Sequence, residues 1–131
     1  MKVIFEPAAQ NTIIRPMAQA VCIAQGGKDV DYIDTADHKK KTVGLENLSF
    51  LTVQARINKR DFNLNAYDVA MKAKHEPVLV QVNVNDVKVL VSPTTTVEQA
   101  MAQFHKKLKE NQQKMDMLYA KACKLRASQN R

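Results

Sequence analysis

The strongest structural signal in the 131-residue chain is segment 96–127, which reads TVEQAMAQFHKKLKENQQKMDMLYAKACKLRA. A capping box can form at its start, either from Thr96 with Gln99 or from Thr95 with Glu98. In a capping box each side chain accepts a hydrogen bond from the other residue's backbone N–H, which satisfies donors that the first helical turn leaves unpaired. The segment therefore predicts a helix that begins near residue 96.

The predicted helix is long for a chain of this size. From Val97 to Ala127 it would measure roughly 46 Å at about 1.5 Å per residue. A compact chain of this length forms a globule roughly 36 Å across. We therefore expect a single domain over residues 1–131, with the far half of helix 96–127 projecting from it or packing on another chain.

The helix carries apolar residues at alternating spacings of four and three, which is the seam of a coiled coil. Asn111 is a polar residue within this apolar seam. In coiled coils, one buried Asn in the seam can fix the register of the paired helices, at a cost in stability. The first half of the seam is expected to cover the protein's own sheet, and the half beyond Asn111 to meet a partner. The predicted partner interface comprises Met101, Phe104, Leu108, Asn111, Met115, Leu118 and Leu125.

The residues that flank the seam restrict which helix could pair with it. If Met101, Leu108 and Met115 occupy heptad position a, lysines occupy every following g position and no acid occupies e or g. A homodimeric coiled coil would then juxtapose positive charges, at a cost of a few tenths of a kcal/mol per pair. The sequence disfavours a simple zipper and predicts that the lysines face an acidic surface.

Positive charge is concentrated at the C-terminal end. Residues 105–131 contain eight Lys or Arg against Glu110 and Asp116, which is +6 of the chain's net charge of +7. This row could be a solvated helix face, or it could attract an acidic protein surface or the phosphates of nucleic acid. The predicted basic face comprises Lys107, Lys114, Lys121, Lys124 and Arg126, with Lys39, Lys40 and Lys41 as a second patch.

An acidic stretch lies between positions 29 and 37. A calcium loop is not expected, because Asp34 stands where the turn requires Gly and Lys40 stands where a Glu should bind the ion. A solvated turn and a contact with the lysine row of a neighbouring subunit both remain open. The four aspartates are Asp29, Asp31, Asp34 and Asp37.

The rest of the chain predicts an α+β fold: a small, mostly antiparallel sheet, one or two short helices and the long C-terminal amphipathic helix. Strands are expected at residues 2–6 and 48–57 and a hairpin at 78–91, because β-branched residues alternate with polar ones. Asn65 is expected to cap a short helix that reaches residue 75. Residues 16–27 allow either a helix or one arm of a hairpin that turns at Gly26-Gly27; we favour the hairpin.

No catalytic, cofactor or metal site is predicted. The three glycines cannot form a phosphate-binding loop, and the cysteines and histidines lack metal-ligand spacing. Cys22 is expected to be a buried, inert thiol and Cys123 to be exposed. Two cysteines and an N-terminal apolar run too short for a signal peptide favour the cytoplasm, and no apolar run is long enough for a membrane span.

These observations predict a small non-enzymatic interaction or regulatory protein. It would self-associate, or dock on a partner, through its C-terminal helix and present a basic face to an acidic target. The alternative is a nucleic-acid-binding dimer whose lysines and arginines contact phosphates without reading bases.

Overall fold

The computed structural model describes the backbone of residues 1–8 and 12–129 and the side chains of residues 1–8 and 12–126. It contains seven strands and four helices in the described part. In chain order these are β1 Lys2–Phe5, α1 Ile14–Ala24, β2 Val30–Ile33, β3 Lys40–Val43, α2 Leu45–Leu48, β4 Thr52–Ile57, β5 Arg60–Asn65, α3 Ala66–Ala73, β6 Leu79–Val84, β7 Val87–Val91 and α4 Val97–Gln129.

The main sheet has five strands in the order β5-β4-β1-β6-β7, so β5 and β7 are its edges. Central β1 runs antiparallel to β4 and parallel to β6, and the two outer pairs are antiparallel hairpins. Strands β2 and β3 form a separate antiparallel hairpin. The predicted α+β fold, with a mostly antiparallel sheet and a long C-terminal helix, is confirmed.

The core lies between α1 and one face of the main sheet. Alternate residues of β1, β4, β6 and β7 are buried there, including Val3, Val53, Val80 and Val89. On α1 every residue except Arg15 is buried. Burial on this scale is the dominant favourable term in folding, because each fully buried Val, Leu, Ile or Met contributes about 1.5 to 3 kcal/mol.

The hairpin interpretation of residues 16–27 is wrong, since this segment forms α1. Gly26 and Gly27, with φ of 77° and 83°, end the helix. Their N–H groups donate to the carbonyls of Ile23 at 3.2 Å and Cys22 at 2.8 Å. This is a glycine helix C-cap, which uses the same positive φ values as a Gly-Gly hairpin turn. The helical spacing is present in the sequence, with apolar Met17, Ala20, Val21 and Ala24 on one face, but β-branched residues on both sides of the Gly-Gly pair favour a hairpin when only local chemistry is considered.

Two strands, β3 and β5, were not predicted. β3 begins within the run His38-Lys39-Lys40-Lys41, whose charge boundary with the preceding aspartates favours an exposed loop, and β5 begins within Asn58-Lys59-Arg60-Asp61, which favours a turn. Both strands are mainly polar and exposed, and each has a neighbour on one side only. A strand stabilised by backbone pairing with little burial carries no alternating apolar pattern.

Two hairpins of the main sheet turn through two residues of positive φ, without glycine. Asn58 and Lys59 have φ of 51° and 66°, and Asn85 and Asp86 have φ of 50° and 61°. Such values match a type I′ turn, whose twist suits antiparallel strands and whose preferred sequence is Asn-Gly. Lys59 therefore occupies a position at which a side chain is strained.

We expect Lys59→Gly to raise the free energy of unfolding by about 0.5 to 1 kcal/mol. Relief of about 1 to 2 kcal/mol of left-handed strain outweighs the extra chain entropy that glycine loses on folding. Urea unfolding measures the change. Lys59→Ala is the matched control, because it also removes the lysine side chain but keeps Cβ, so it should give no gain. Equal stability of the two variants would contradict the turn assignment.

Candidate functional site

The long helix α4 begins where the sequence predicts. The Thr96 N–H donates to Gln99 Oε1 at 3.1 Å, and the Gln99 N–H donates to Thr96 Oγ1 at 3.2 Å. These two bonds form the expected capping box. The helix then continues for 33 residues, which is about 50 Å at 1.5 Å per residue.

The first three turns of α4 belong to the protein's own core. Val97, Ala100 and Phe104 are buried, and Met101 and Leu108 are half-buried against the same core. Phe104 is only 3% exposed, so its assignment to a partner interface is corrected. It is covered by its own chain, because α4 packs on α1 and β7 at this level.

Three side chains of α4 hydrogen-bond to the backbone of edge strand β7 and the turn before it. Successive donors are four residues apart, which is about 6 Å along the helix. Successive acceptors are two residues apart, which is about 6.7 Å along the strand. Because these two distances are nearly equal, each donor lies opposite one carbonyl. Gln103 Nε2 donates to the Leu90 carbonyl at 3.3 Å, Lys107 Nζ to the Lys88 carbonyl at 2.5 Å, and Asn111 Nδ2 to the Asp86 carbonyl at 3.3 Å.

These edge-capping residues protect the sheet. An uncovered edge strand presents unpaired backbone groups to which another chain can pair. Lys107, predicted as part of the basic face, and Asn111, predicted to set register with a partner helix, both bind their own chain here. The sequence shows three side-chain N–H donors at i, i+4 spacing, which is the pattern that covers a strand edge here. Nothing in the sequence indicates that β7 lies beside them.

Beyond Asn111 the helix changes character. Every described side chain from 112 to 126 is exposed. Met115 is 67% exposed and Leu118 is 62% exposed, although both continue the seam that is buried or half-buried up to Leu108. We call Met115, Leu118, Ala122 and Leu125 the distal stripe; it extends along a segment of about 27 Å from residue 112 to 129.

Exposed cations accompany the distal stripe. Lys114 and Lys121 continue the seven-residue spacing that starts at Lys107, and Lys124 and Arg126 are also exposed. Among the side chains that the structure describes, the ion pairs lie on the β2–β3 and β4–β5 hairpins, and none includes a residue of α4. Arg131, the last member of the predicted basic row, lies outside the described residues.

The second basic patch is neutralised locally. Lys40 pairs with Asp31 at 3.3 Å, and Lys41 pairs with Asp34 at 2.7 Å and with Asp37 at 3.1 Å. Lys39, in the turn before β3, donates its backbone N–H to Asp37. Residues 39–41 therefore offer much less net charge than their sequence suggests.

The same contacts account for the aspartates. The pKa of Asp34 is lowered by the Lys41 ammonium and by the Ala36 N–H. The pKa of Asp31 is lowered by the Thr42 hydroxyl and then by Lys40. These carboxylates stabilise the β2–β3 hairpin, and within the described residues no group of three His, Cys, Asp or Glu is arranged to hold a metal ion.

The two cysteines differ as predicted. Cys22 is buried on α1, and its burial, with a smaller effect from the charge of Asp29, raises the pKa of its thiol to about 11. Cys123 is exposed on α4, next to Ala122 of the distal stripe in the chain but on a different face of the helix. It is a natural attachment point for a reporter beside the candidate site.

Comparison with known proteins adds no functional information to this geometry. No family model matches the chain, and no curated protein or solved structure is significantly similar to it. In the part of the chain that the structure describes, no helix combines the length and the apolar character needed to cross a membrane.

Lys107→Met is expected to lower the free energy of unfolding by about 1 kcal/mol, the usual net contribution of one hydrogen bond. Urea unfolding measures this loss of stability, together with amide hydrogen exchange of the β7 backbone. Lys106→Met, at an exposed neighbouring position, is the control and should change stability by less than about 0.5 kcal/mol. If both variants unfold at the same urea concentration, the Lys107–Lys88 bond does not stabilise the edge.

In the native protein we expect one thiol to react with a chromogenic disulfide reagent at pH 8. A pKa near 11 leaves about one part in a thousand of Cys22 as thiolate, and burial blocks access to it. Cys123→Ser should therefore abolish the native reaction, and denaturant should restore one equivalent. Two equally fast thiols in the native protein would contradict the burial of Cys22.

Proposed function

We propose that the protein is a small, non-enzymatic, cytoplasmic interaction or regulatory protein. It self-associates, or docks on a partner, through the distal stripe of α4 and presents a basic face to an acidic target. The observation that carries this proposal is the exposure of Met115 and Leu118, which share one helix face with the core residue Phe104.

Burial of the distal stripe would be favourable. A fully buried Met or Leu contributes about 1.5 to 3 kcal/mol, so two such residues help to offset the ordering cost of association. Methionine also adapts to surfaces of irregular shape. Both residues support a docking role for this half of the helix.

The lysines favour an acidic partner. Lys114 and Lys121 flank the distal stripe on one side, and the other side offers Gln112, Tyr119 and Arg126, which supply no negative charge. Opposite charge on the partner would speed encounter and fix orientation, and both effects weaken as salt rises.

The second candidate is phosphate binding to nucleic acid. It is favoured by the localisation of +6 within residues 105–131, most of it on exposed side chains of α4. Each neutralised phosphate releases counterions, so affinity would fall steeply between low and physiological salt.

A dye on Cys123 tests these alternatives in the full chain. The labelled protein is titrated with unlabelled protein, with polyglutamate and with duplex DNA, each at two salt concentrations, and fluorescence anisotropy is recorded. We expect a rise with unlabelled protein that Leu118→Lys abolishes, or a rise with polyglutamate that the double variant Lys114→Gln, Lys121→Gln weakens. Met117→Lys is the control, since Met117 is equally exposed, at 64%, but lies off the distal stripe.

A response to DNA alone that disappears at high salt would support the second candidate in place of the first. The absence of any response to the three additions would contradict both.

A further inference from the structure

A groove of about 900 Å³ lies beside the short helix α2. It is lined by α2, by the loop that joins α2 to β4, and by residues at the start of β2, on β3 and on α3. Sites of roughly 300 to 1,000 Å³ hold drug-sized ligands, so this groove has room for a few side chains of a partner. We call it the α2 groove; its characteristic side chains are Asp29, Glu46, Phe50 and Tyr67.

Two aromatic rings line the α2 groove. Phe50 is 92% exposed, more than any other large apolar side chain that the structure describes, and Tyr67 is 38% exposed. Asn65 joins the two walls on which these rings lie. Its side chain accepts a hydrogen bond from the Tyr67 N–H and donates one to the carbonyl of Ser49, the residue before Phe50. The rings are therefore presented to solvent from a connected frame.

The α2 groove is acidic. Asp29 and Glu46 line it, and no lysine, arginine or histidine is among its lining residues. None of the ion pairs in the described part of the chain includes either carboxylate. Asp29 thus differs from the other three aspartates of segment 29–37, which pair with lysines of their own hairpin.

The cations close to the groove in the chain are directed elsewhere. Lys28 precedes Asp29, but it lines a different depression together with Lys74. Lys40, on β3, is paired with Asp31 at 3.3 Å. Negative charge therefore prevails in the α2 groove.

The distal half of α4 has the complementary chemistry. The thioether of Met115 and the aliphatic side chain of Leu118 are both exposed and suit a surface of aromatic rings. Lys114 and Lys121 flank the distal stripe on one side and Arg126 on the other, with no acid on either side. Such cations bind carboxylates, and they also bind the faces of aromatic rings.

This contact has to be made between copies. α4 packs on α1 and β7, and every described side chain from 112 to 126 is exposed, so the distal half does not lie in the groove of its own chain. Two paired distal halves would bring lysines together with no acid at the flanks. Each copy supplies both an acidic groove and a basic, apolar segment, so self-association requires no further component.

From these observations we infer that the distal half of α4 in one copy binds in the α2 groove of a second copy. The distal stripe packs on Phe50 and Tyr67, and the cations that flank it face the carboxylates of Asp29 and Glu46. This inference rests on the proposed docking role of the distal stripe and identifies the acidic target as a second copy of the chain.

The contact joins two different surfaces and is therefore heterologous. A copy with a damaged helix still offers an intact groove, and a copy with a damaged groove still offers an intact helix. The two defective proteins should bind each other although neither binds itself.

Mixing of two full-length variants, Leu118→Glu and Phe50→Ser, tests this by sedimentation velocity and light scattering. We expect wild-type protein to exceed the monomer mass at about 100 µM, in keeping with a modest interface. Each variant alone should remain monomeric, with self-association weakened at least tenfold, because one places a carboxylate against the acidic groove and the other removes its most exposed ring. The equimolar mixture should form a one-to-one complex.

Matched controls make the same changes on other surfaces. Phe62→Ser removes an exposed ring, at 43% exposure, from β5, and Met117→Glu adds a carboxylate to α4 off the distal stripe. Both should associate like wild type. Circular dichroism and urea unfolding check each variant, and Phe50→Ala and Leu118→Gln replace any variant that does not fold.

The charge component is tested by Glu46→Gln. We expect it to weaken self-association about two- to fivefold at low salt, as for an exposed ion pair, and the difference from wild type should shrink as salt rises. Glu76→Gln, which removes an exposed carboxylate outside the α2 groove, is the control and should have no effect. Equal association of Glu46→Gln, Glu76→Gln and wild type would overturn the charge match.

The outcomes distinguish this inference from the proposed function. If Leu118→Glu is monomeric but Phe50→Ser associates like wild type, the α2 groove is not the occupied site and docking through the stripe stands. A mixture that stays monomeric overturns the heterologous contact. Wild type that is monomeric throughout overturns the inference and leaves the proposed function to the polyglutamate and DNA titrations. Unimpaired association of Leu118→Glu overturns the inference and also self-association through the stripe.

Discussion

The contact between α4 and edge strand β7 determines which part of the long helix is buried and which part is exposed. Gln103, Lys107 and Asn111 bind successive outward carbonyls in reverse order along the strand, so α4 runs antiparallel to β7. The last of these bonds is at Asp86, in the turn where β7 begins. Because the sheet ends there while the helix continues to Gln129, the distal half is exposed on every described side chain.

This arrangement gives one helix two roles. Its first half closes the sheet edge and completes the core with Phe104, and its second half carries the same seam into solvent with lysines beside it. The sheet's other edge, β5, has no such cover in the described part of the chain.

The described ion pairs are local, because each joins residues of one hairpin. On the β2–β3 hairpin, Asp31, Asp34 and Asp37 are matched by Lys40 and Lys41, and Arg56 is matched by Asp61 across the β4–β5 hairpin. On both hairpins opposite charges therefore cancel locally. Most of the chain's positive charge therefore remains on α4, where it bears on partner choice and on salt dependence.

Local chemistry in the sequence was sufficient for α4 with its Thr96–Gln99 capping box, for the Asn65-capped helix α3, and for the valine-rich β6–β7 hairpin. Each depends on residues close together in the chain. Tertiary structure alone decided that residues 14–24 form a buried helix and that polar residues 60–65 form an edge strand. It also decided that Lys107 and Asn111 bind their own domain, since β7 lies beside α4 only after distant segments have packed.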